Sequence, residues 1–220
     1  SSPLLTPSTL MLIAHVERDG VWCVDGGMRA LALAMAELAQ EHGGRFHYDS
    51  PVQRIDCVNG RATGITLASG ETHSADVVVF NGDTAALSDG LLGADVSTAV
   101  PVRPRHQRGL SAITWCINAE TSGFELDHHN VFFAQNYAQE FSTIFDNRGI
   151  CNEPTVYVCA QDRINGEPLK AGTERLLLLI NAPADGDHKA WTRNKLDEQR
   201  EHALSVVKRG GANITFSEQN

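Results

Sequence analysis

Phe46–Asp83 reads FHYDSPVQRIDCVNGRATGITLASGETHSADVVVFNGD, and its hydrophobic rhythm changes once along the way. Val52, Ile55 and Val58 mark a first strand. Asn59-Gly60 is a two-residue turn of the kind that takes positive φ at its centre. Ala62–Leu67 returns antiparallel, Ser69-Gly70 turns again, and Glu71–Ser74 starts a third run. Asp76–Phe80 (DVVVF) breaks this pattern. A short, continuous, β-branched run predicts a strand buried on both faces inside a parallel sheet. Asn81-Gly82-Asp83 then forms a polar turn at that strand's carboxyl end, where open α/β sheets place their ligands.

On the amino-terminal side, Pro3 and Pro7 punctuate a loop and Leu10–Glu17 reads as the end of a helix. Asp19-Gly20 turns into a strand-like run, Val21–Val24. Met28–His42 is helical by period: Leu31, Met35 and Leu38 share a stripe with Ala32, Ala36 and Ala39, and Glu37, Gln40 and Glu41 lie opposite. Gly43-Gly44 closes it with residues that tolerate a left-handed cap. Its start follows Gly26-Gly27 and presents free N–H groups and the positive end of the helix dipole. That glycine pair is open to two readings, a tight strand-to-helix turn or a close approach of backbone to a flat ligand.

On the carboxyl side, Asp83 caps a short helix over Thr84–Leu92, and Gly93–Pro104 is a loop. Arg103, Arg105, His106 and Arg108 read as a solvated basic turn. Strands are expected at Leu110–Ala119, Val131–Phe133, Thr155–Ala160 and Leu176–Asn181, the last two joined by a polar loop through Asn165-Gly166 and Pro168. Helices are expected at Tyr137–Phe145 and His188–Lys208, with Gly210-Gly211 capping the second and Asn213–Phe216 beginning a strand.

With 220 residues, 42% hydrophobic and 20% charged, the chain has enough apolar material for one or two cored domains. A net charge of -9 argues against a nucleic-acid partner, because such binding rests on neutralising phosphates. The five cysteines are irregularly spaced without C-x-x-C, so they read as reduced thiols of a cytoplasmic protein. No apolar run reaches membrane-spanning length. P-loop, H-E-x-x-H and G-x-S-x-G patterns are missing. Asp127-His128-His129 suggests a metal, but neighbours on a strand point to opposite faces, so the pair reads as turn or surface histidines and no metal site is expected.

Several short patterns occur in a telling order: Val21-Trp22, Gly26-Gly27-Met28, Gly43-Gly44 and Val52-Gln53-Arg54-Ile55 (V-x-x-I). Further on come His128-His129 before V-F-F, I-F-D at Asp146, Pro154-Thr155 before Tyr157-Val158, and L-L-L-I leading into N-A-P-A-D-G. Across almost the entire chain this resembles the phytoene desaturase-like carotenoid desaturases of the FAD-dependent amine oxidase superfamily. The Gly-Gly-Met form looks like the branch that desaturates hydroxylated or methoxylated carotenoids, such as methoxyneurosporene, at the 3,4 bond. The usual desaturase form has Arg before the glycine pair and Thr after it, where this chain has Asp25 and Met28.

The resemblance implies an α/β (α+β) fold: part of an FAD-binding Rossmann-like domain with a β-meander, plus a mixed-sheet substrate domain. Residues 1–20 would end a substrate-domain helix, 21–92 would be the second part of the FAD-binding domain, and 93–220 the substrate domain. For FAD it implies the backbone of Val52 at the adenine edge, with Gly26, Gly27, Asn81, Gly82 and Asp83 around the cofactor. For a carotenoid it implies Trp22, Trp115, Phe132 and Tyr157 as walls of an apolar tunnel, with Ile117, Phe133 and Leu178 as further candidates. Asn118, His128 or Tyr137 would orient a polar end group. No residue stands out as a catalytic base.

A G-x-G-x-x-G turn, needed to seat the pyrophosphate on a helix start, does not occur. The expectation is therefore an internal piece of a longer flavoenzyme that alone binds FAD weakly or not at all. Also expected are a cytoplasmic location with peripheral membrane contact and dimerisation through an exposed sheet edge. Two other readings stay open: a different FAD-dependent oxidoreductase of isoprenoids or amines, and a lipophilic ligand-binding module without redox activity.

Overall fold

The computed structural model describes residues 11–163, 172–187 and 191–216. Pro3, Pro7, the loop signals at Asn165-Gly166 and Pro168, and the expected helix start at His188 lie outside them. In chain order the elements are α1 (Met11–Asp19), α2 (Gly27–Glu41), β1 (Val52–Val58), β2 (Arg61–Leu67), β3 (Thr72–Ser74), α3 (Ala85–Ser88), β4 (Leu110–Gly123), β5 (His129–Phe132), α4 (Tyr137–Phe145), β6 (Val156–Ala160), β7 (Glu174–Pro183), α5 (Arg193–Arg209) and β8 (Ala212–Thr215). Helix and sheet are mixed, as expected, and every ladder among the described residues is antiparallel. The chain divides into two compact units, Val24–Pro104 and the remainder, 1–23 with 105–220.

The larger unit is built on a five-stranded sheet in the order β5-β6-β7-β4-β8. Alternation decides its covered face. Val156, Val158 and Ala160 pair with Ile180, Leu178 and Leu176, which pair in turn with Ile113, Trp115 and Ile117. Strand residues two apart share a face, so these side chains form one apolar layer. Ala203, Val206 and Val207 of α5 complete the buried cluster. α5 starts at Thr192, whose hydroxyl accepts from the Lys195 N–H at 3.3 Å, satisfying a donor that a helix start otherwise leaves free. It stops at Gly210, where a Cβ would run into the Phe132 ring. α4 is capped by Asn136, which accepts from the Gln139 N–H at 3.1 Å.

Two buried acids tie this unit together. Glu140 accepts from the Thr155 hydroxyl at 2.6 Å and the Asn181 amide at 3.3 Å, joining α4 to β7 and to the approach to β6. Glu174 meets the Arg163 fork at 2.8 and 2.9 Å and also accepts from the Thr121 hydroxyl. Arg163 donates again to the Leu126 carbonyl at 2.8 Å. Its bond to Glu174 raises the guanidinium pKa further.

In the smaller unit the meander is as read. β1, β2 and β3 pair in sequence order, and Asn59 (φ 50°) and Gly60 (φ 76°) supply the positive-φ turn. Gly64 cannot carry a side chain, because a Cβ would strike the His73 carbonyl of the neighbouring strand. The core here is thin. Ile55, Leu87 and Val96 are buried, with Val78, Phe80 and Leu92 packed around them, and the Ile55 N–H donates to the Leu92 carbonyl at 3.0 Å.

Three expectations are corrected. Asp76–Phe80 joins neither sheet, and Val77 and Val79 are 74% and 85% exposed. A strand needs a ladder partner, and no described strand runs beside this one. Val21–Val24 likewise belongs to no sheet. Finally, α3 spans Ala85–Ser88 only, because Gly90 (φ 73°) turns the chain out of the helix.

Candidate flavin and substrate surfaces

In the smaller unit the residues expected at a flavin occupy loop ends and an edge. Gly26 (φ 82°) and Gly27 (φ 75°) make the left-handed entry to α2, and the Gly27 N–H donates to the Val24 carbonyl at 2.8 Å. The start of α2 has no side-chain cap, so the N–H groups that follow Gly27 keep their donor capacity. A Cβ at Gly27 would stand in open space. Both features suit an anionic oxygen set close to backbone, the chemistry a dinucleotide brings. Val52 opens β1 opposite Leu67, on an edge strand of the meander. Asn81, Gly82 and Asp83 follow the unpaired 76–80 segment and are exposed. The Asp83 carboxylate accepts from the Ala85 N–H at 2.9 Å, and a Cβ at Gly82 would collide with the Phe80 ring.

In the larger unit the five-stranded sheet has a second, uncovered face. One row across it runs His129, Cys159, Leu177 and Cys116, and the next runs Val131, Tyr157, Leu179 and Thr114. Apolar and soft side chains thus meet solvent over four strands. Tyr157 sits among them with its hydroxyl 2.7 Å from His129 Nδ1 and the two rings stacked, centroids 6.0 Å apart. Desolvation, and then Cys159, pushes the Tyr157 pKa up to about 12, so this hydroxyl keeps its proton. Phe133, Tyr137, Phe141 and Phe145 continue as a chain of ring contacts into α4.

Of the four residues expected to wall a substrate tunnel, only Tyr157 lies on this open face. Phe132 is buried in the core, edge-on to Phe124 at 5.8 Å. Trp115 is on the covered side, where it lines a cavity of 430 Å³ with Ile113, Ile117, Leu196, Arg200 and Phe216. Trp22 is exposed on the segment after α1.

The sequence pattern of the family described as flavin containing amine oxidoreductase matches residues 9–205, nearly the whole of this chain. This chain belongs to that family.

Within the amine oxidoreductase family it is similar to the hydroxyneurosporene desaturase of Rubrivivax gelatinosus, 46% identical over 219 residues, which is 100% of this chain and 42% of that protein. The hydroxyneurosporene desaturase of Cereibacter sphaeroides is 46% identical over 182 residues, covering 83% of this chain and 36% of its own length. A 1-hydroxycarotenoid 3,4-desaturase of Flavobacterium sp. is 32% identical over 210 residues, 95% of this chain and 42% of that protein. This family member therefore spans about two fifths of the length of the relatives it matches. Among its described residues, no helix is long and apolar enough to cross a membrane.

One grouping in this family member was not anticipated. His128 is not in a strand but in the bend before β5, so the alternation that was expected to point it away from His129 does not apply. The two rings touch, with centroids 4.4 Å apart. Asn130 builds this bend. Its side-chain oxygen accepts from the Asp127 N–H at 2.8 Å, and its amide nitrogen donates to the Asp127 and Val158 carbonyls at 2.7 and 3.1 Å. The only warning in the sequence is Asp127-His128, since an aspartate before a strand favours a local turn.

Proposed function

We propose that this chain is the central part of a flavin-dependent desaturase that introduces the 3,4 double bond into a hydroxylated or methoxylated acyclic carotenoid. The observation that carries the reading is the similarity, over the full chain, to enzymes named for hydroxyneurosporene and 1-hydroxycarotenoid desaturation. In that reaction two hydrogens leave adjacent carbons, one as a hydride and one as a proton, and the single bond between them becomes double. Bound FAD would supply the hydride acceptor.

This chain's own residues would bind and exclude water. The uncapped start of α2 behind Gly26 and Gly27 would face anionic oxygens, the Val52 backbone the adenine edge, and the Asn81-Gly82-Asp83 turn the remaining polar rim. The open face of the five-stranded sheet suits one wall of the carotenoid chamber: each CH₂-sized group it covers contributes about 0.8 kcal/mol to binding. Tyr157 would sit there as a neutral donor. The half-buried Trp115 stays a second candidate beside the α5 cavity, Trp22 a third, and Phe132 would act only through the core. Carotenoids dissolve in lipid, so peripheral membrane contact belongs to the same proposal, as does pairing of exposed sheet edges in a dimer.

The test is expression of the complete reading frame that carries this sequence, with FAD, an electron acceptor and a 1-hydroxycarotenoid. The expected product has one further conjugated double bond and a red-shifted spectrum. A Leu179→Lys variant should raise KM about tenfold or more, since it sets a charge on the proposed wall. Flavin binding with no conversion of any carotenoid would point to another substrate, and carotenoid binding without flavin would favour the non-redox lipophilic module.

A further inference from the structure

We propose that His128, His129 and Cys159 form a site for a zinc-class divalent ion, with two nitrogens, one sulfur and an open fourth position. This stands on the local geometry and not on the desaturase reading. One ligand atom from each residue lies within 4.8 Å of the other two. His128 Nε2 is 3.9 Å from Cys159 Sγ. A tetrahedral zinc ion with bonds of about 2.0 to 2.3 Å holds neighbouring nitrogen and sulfur donors about 3.6 Å apart, so this pair is a few tenths of an ångström from bridging distance. The longest separation needs closing by roughly 1 Å to reach such a spacing. His129 is exposed, so closing the site displaces solvent and not core side chains.

The surroundings already resemble those of a metal ligand. His128 Nδ1 lies 3.1 Å from the Ala160 carbonyl, which has no proton to give. The nitrogen therefore carries the hydrogen, and Nε2 is left with its lone pair toward Cys159. The Tyr157 oxygen lies 2.7 Å from His129 Nδ1 and can accept the hydrogen of that nitrogen, the arrangement that leaves Nε2 free to ligate. The Asn130 bonds set the bend that brings the two imidazoles to one side of β6. Sulfur and imidazole donors select zinc, cobalt or copper over magnesium and calcium. No carboxylate belongs to the group. Binding releases the thiol proton to solvent and leaves a thiolate–metal bond, so the centre carries net positive charge, and the open position takes water or another oxygen ligand.

Cobalt(II) is the probe for the chain as it stands. The expected result is 1:1 binding with a thiolate-to-cobalt charge-transfer band that zinc displaces, that Cys159→Ser abolishes, and that magnesium does not produce. His128→Ala and His129→Ala should each weaken binding by at least about tenfold. A readout without variants is alkylation by iodoacetamide: zinc should protect Cys159 and leave the exposed Cys116 unchanged, with sites assigned by mass spectrometry. Absence of the charge-transfer band in the unaltered chain, persistence of the band in Cys159→Ser, or alkylation of Cys159 at the same rate with zinc would each overturn the proposal.

Discussion

In Val24–Pro104 the buried centre is Ile55, Leu87 and Val96, whereas the unit carrying β4 to β8 buries one continuous layer across its strands and into α5. Both units contain equally apolar elements. α2 carries Leu31, Met35 and Leu38 on one stripe, yet none of its residues is buried. β7 carries Leu176, Leu178 and Ile180, and all three are enclosed. Periodicity creates an apolar face in either case, and burial depends on whether another element returns to cover it. α5 does so for one face of the large sheet, and no described element does so for α2 or for Val77 and Val79.

The contrast predicts where substitutions matter. The largest effect is expected from Arg163→Ala, which leaves the buried Glu174 carboxylate without its cation: breaking such a pair costs about 3 to 5 kcal/mol. Urea unfolding followed by tryptophan fluorescence would report it, and a loss under about 1 kcal/mol would mean that the network is not holding the large unit. Next, Leu178→Ala should cost about 2 to 5 kcal/mol because it empties a fully buried position. Val79→Ala, by contrast, should stay within about 0.5 kcal/mol. Equal losses from these two variants would erase the distinction between the units.

Within the small unit, Gly60→Ala should cost about 1 to 2 kcal/mol, since a side chain is placed at φ 76°. Hydrogen exchange at Ile65 and Thr66 should accelerate with it, and unchanged exchange would show that the turn does not anchor the meander.

The smallest effect is on pH dependence. Asp56, bonded by Thr66 and then Arg54, and Asp162, bonded by Arg175, both have lowered pKa values. A depressed carboxylate stabilises the fold above its unfolded pKa, and that stability is lost as pH falls through the lower folded value. Asp56→Asn and Asp162→Asn should each lower Tm slightly near neutrality and leave it unchanged at the acid end, which flattens the acid side of a Tm-against-pH curve. An unaltered acid limb in both variants would remove these pairs from the account.

Much of this was legible in the residues. The Asn59-Gly60 turn and the alternation around it specify the meander, and the α4 bounds follow from Asn136 and the spacing of Phe141, Ile144 and Phe145. The V-x-x-I strand and the run of desaturase-like patterns pointed to the family to which the chain belongs. Other features depend on tertiary contacts that no local pattern encodes. Asp76–Phe80 is apolar enough for a central strand, but composition does not supply a ladder partner. In L-L-L-L-I both faces of β7 are apolar, so only the return of α5 decides that Leu178 is core and Leu179 is surface. The His128–His129 contact was hidden because strand alternation was extended one residue beyond the true start of β5.

The amide of Asn130 gives two hydrogens and takes one, and each of those roles is filled. An aspartate in its place would exchange a donor for a negative oxygen facing two carbonyls, turning attraction into repulsion with no change of size. That exchange would release the bend that sets the two imidazoles side by side, so the corner beside the open sheet rests on an amide and not merely on its shape.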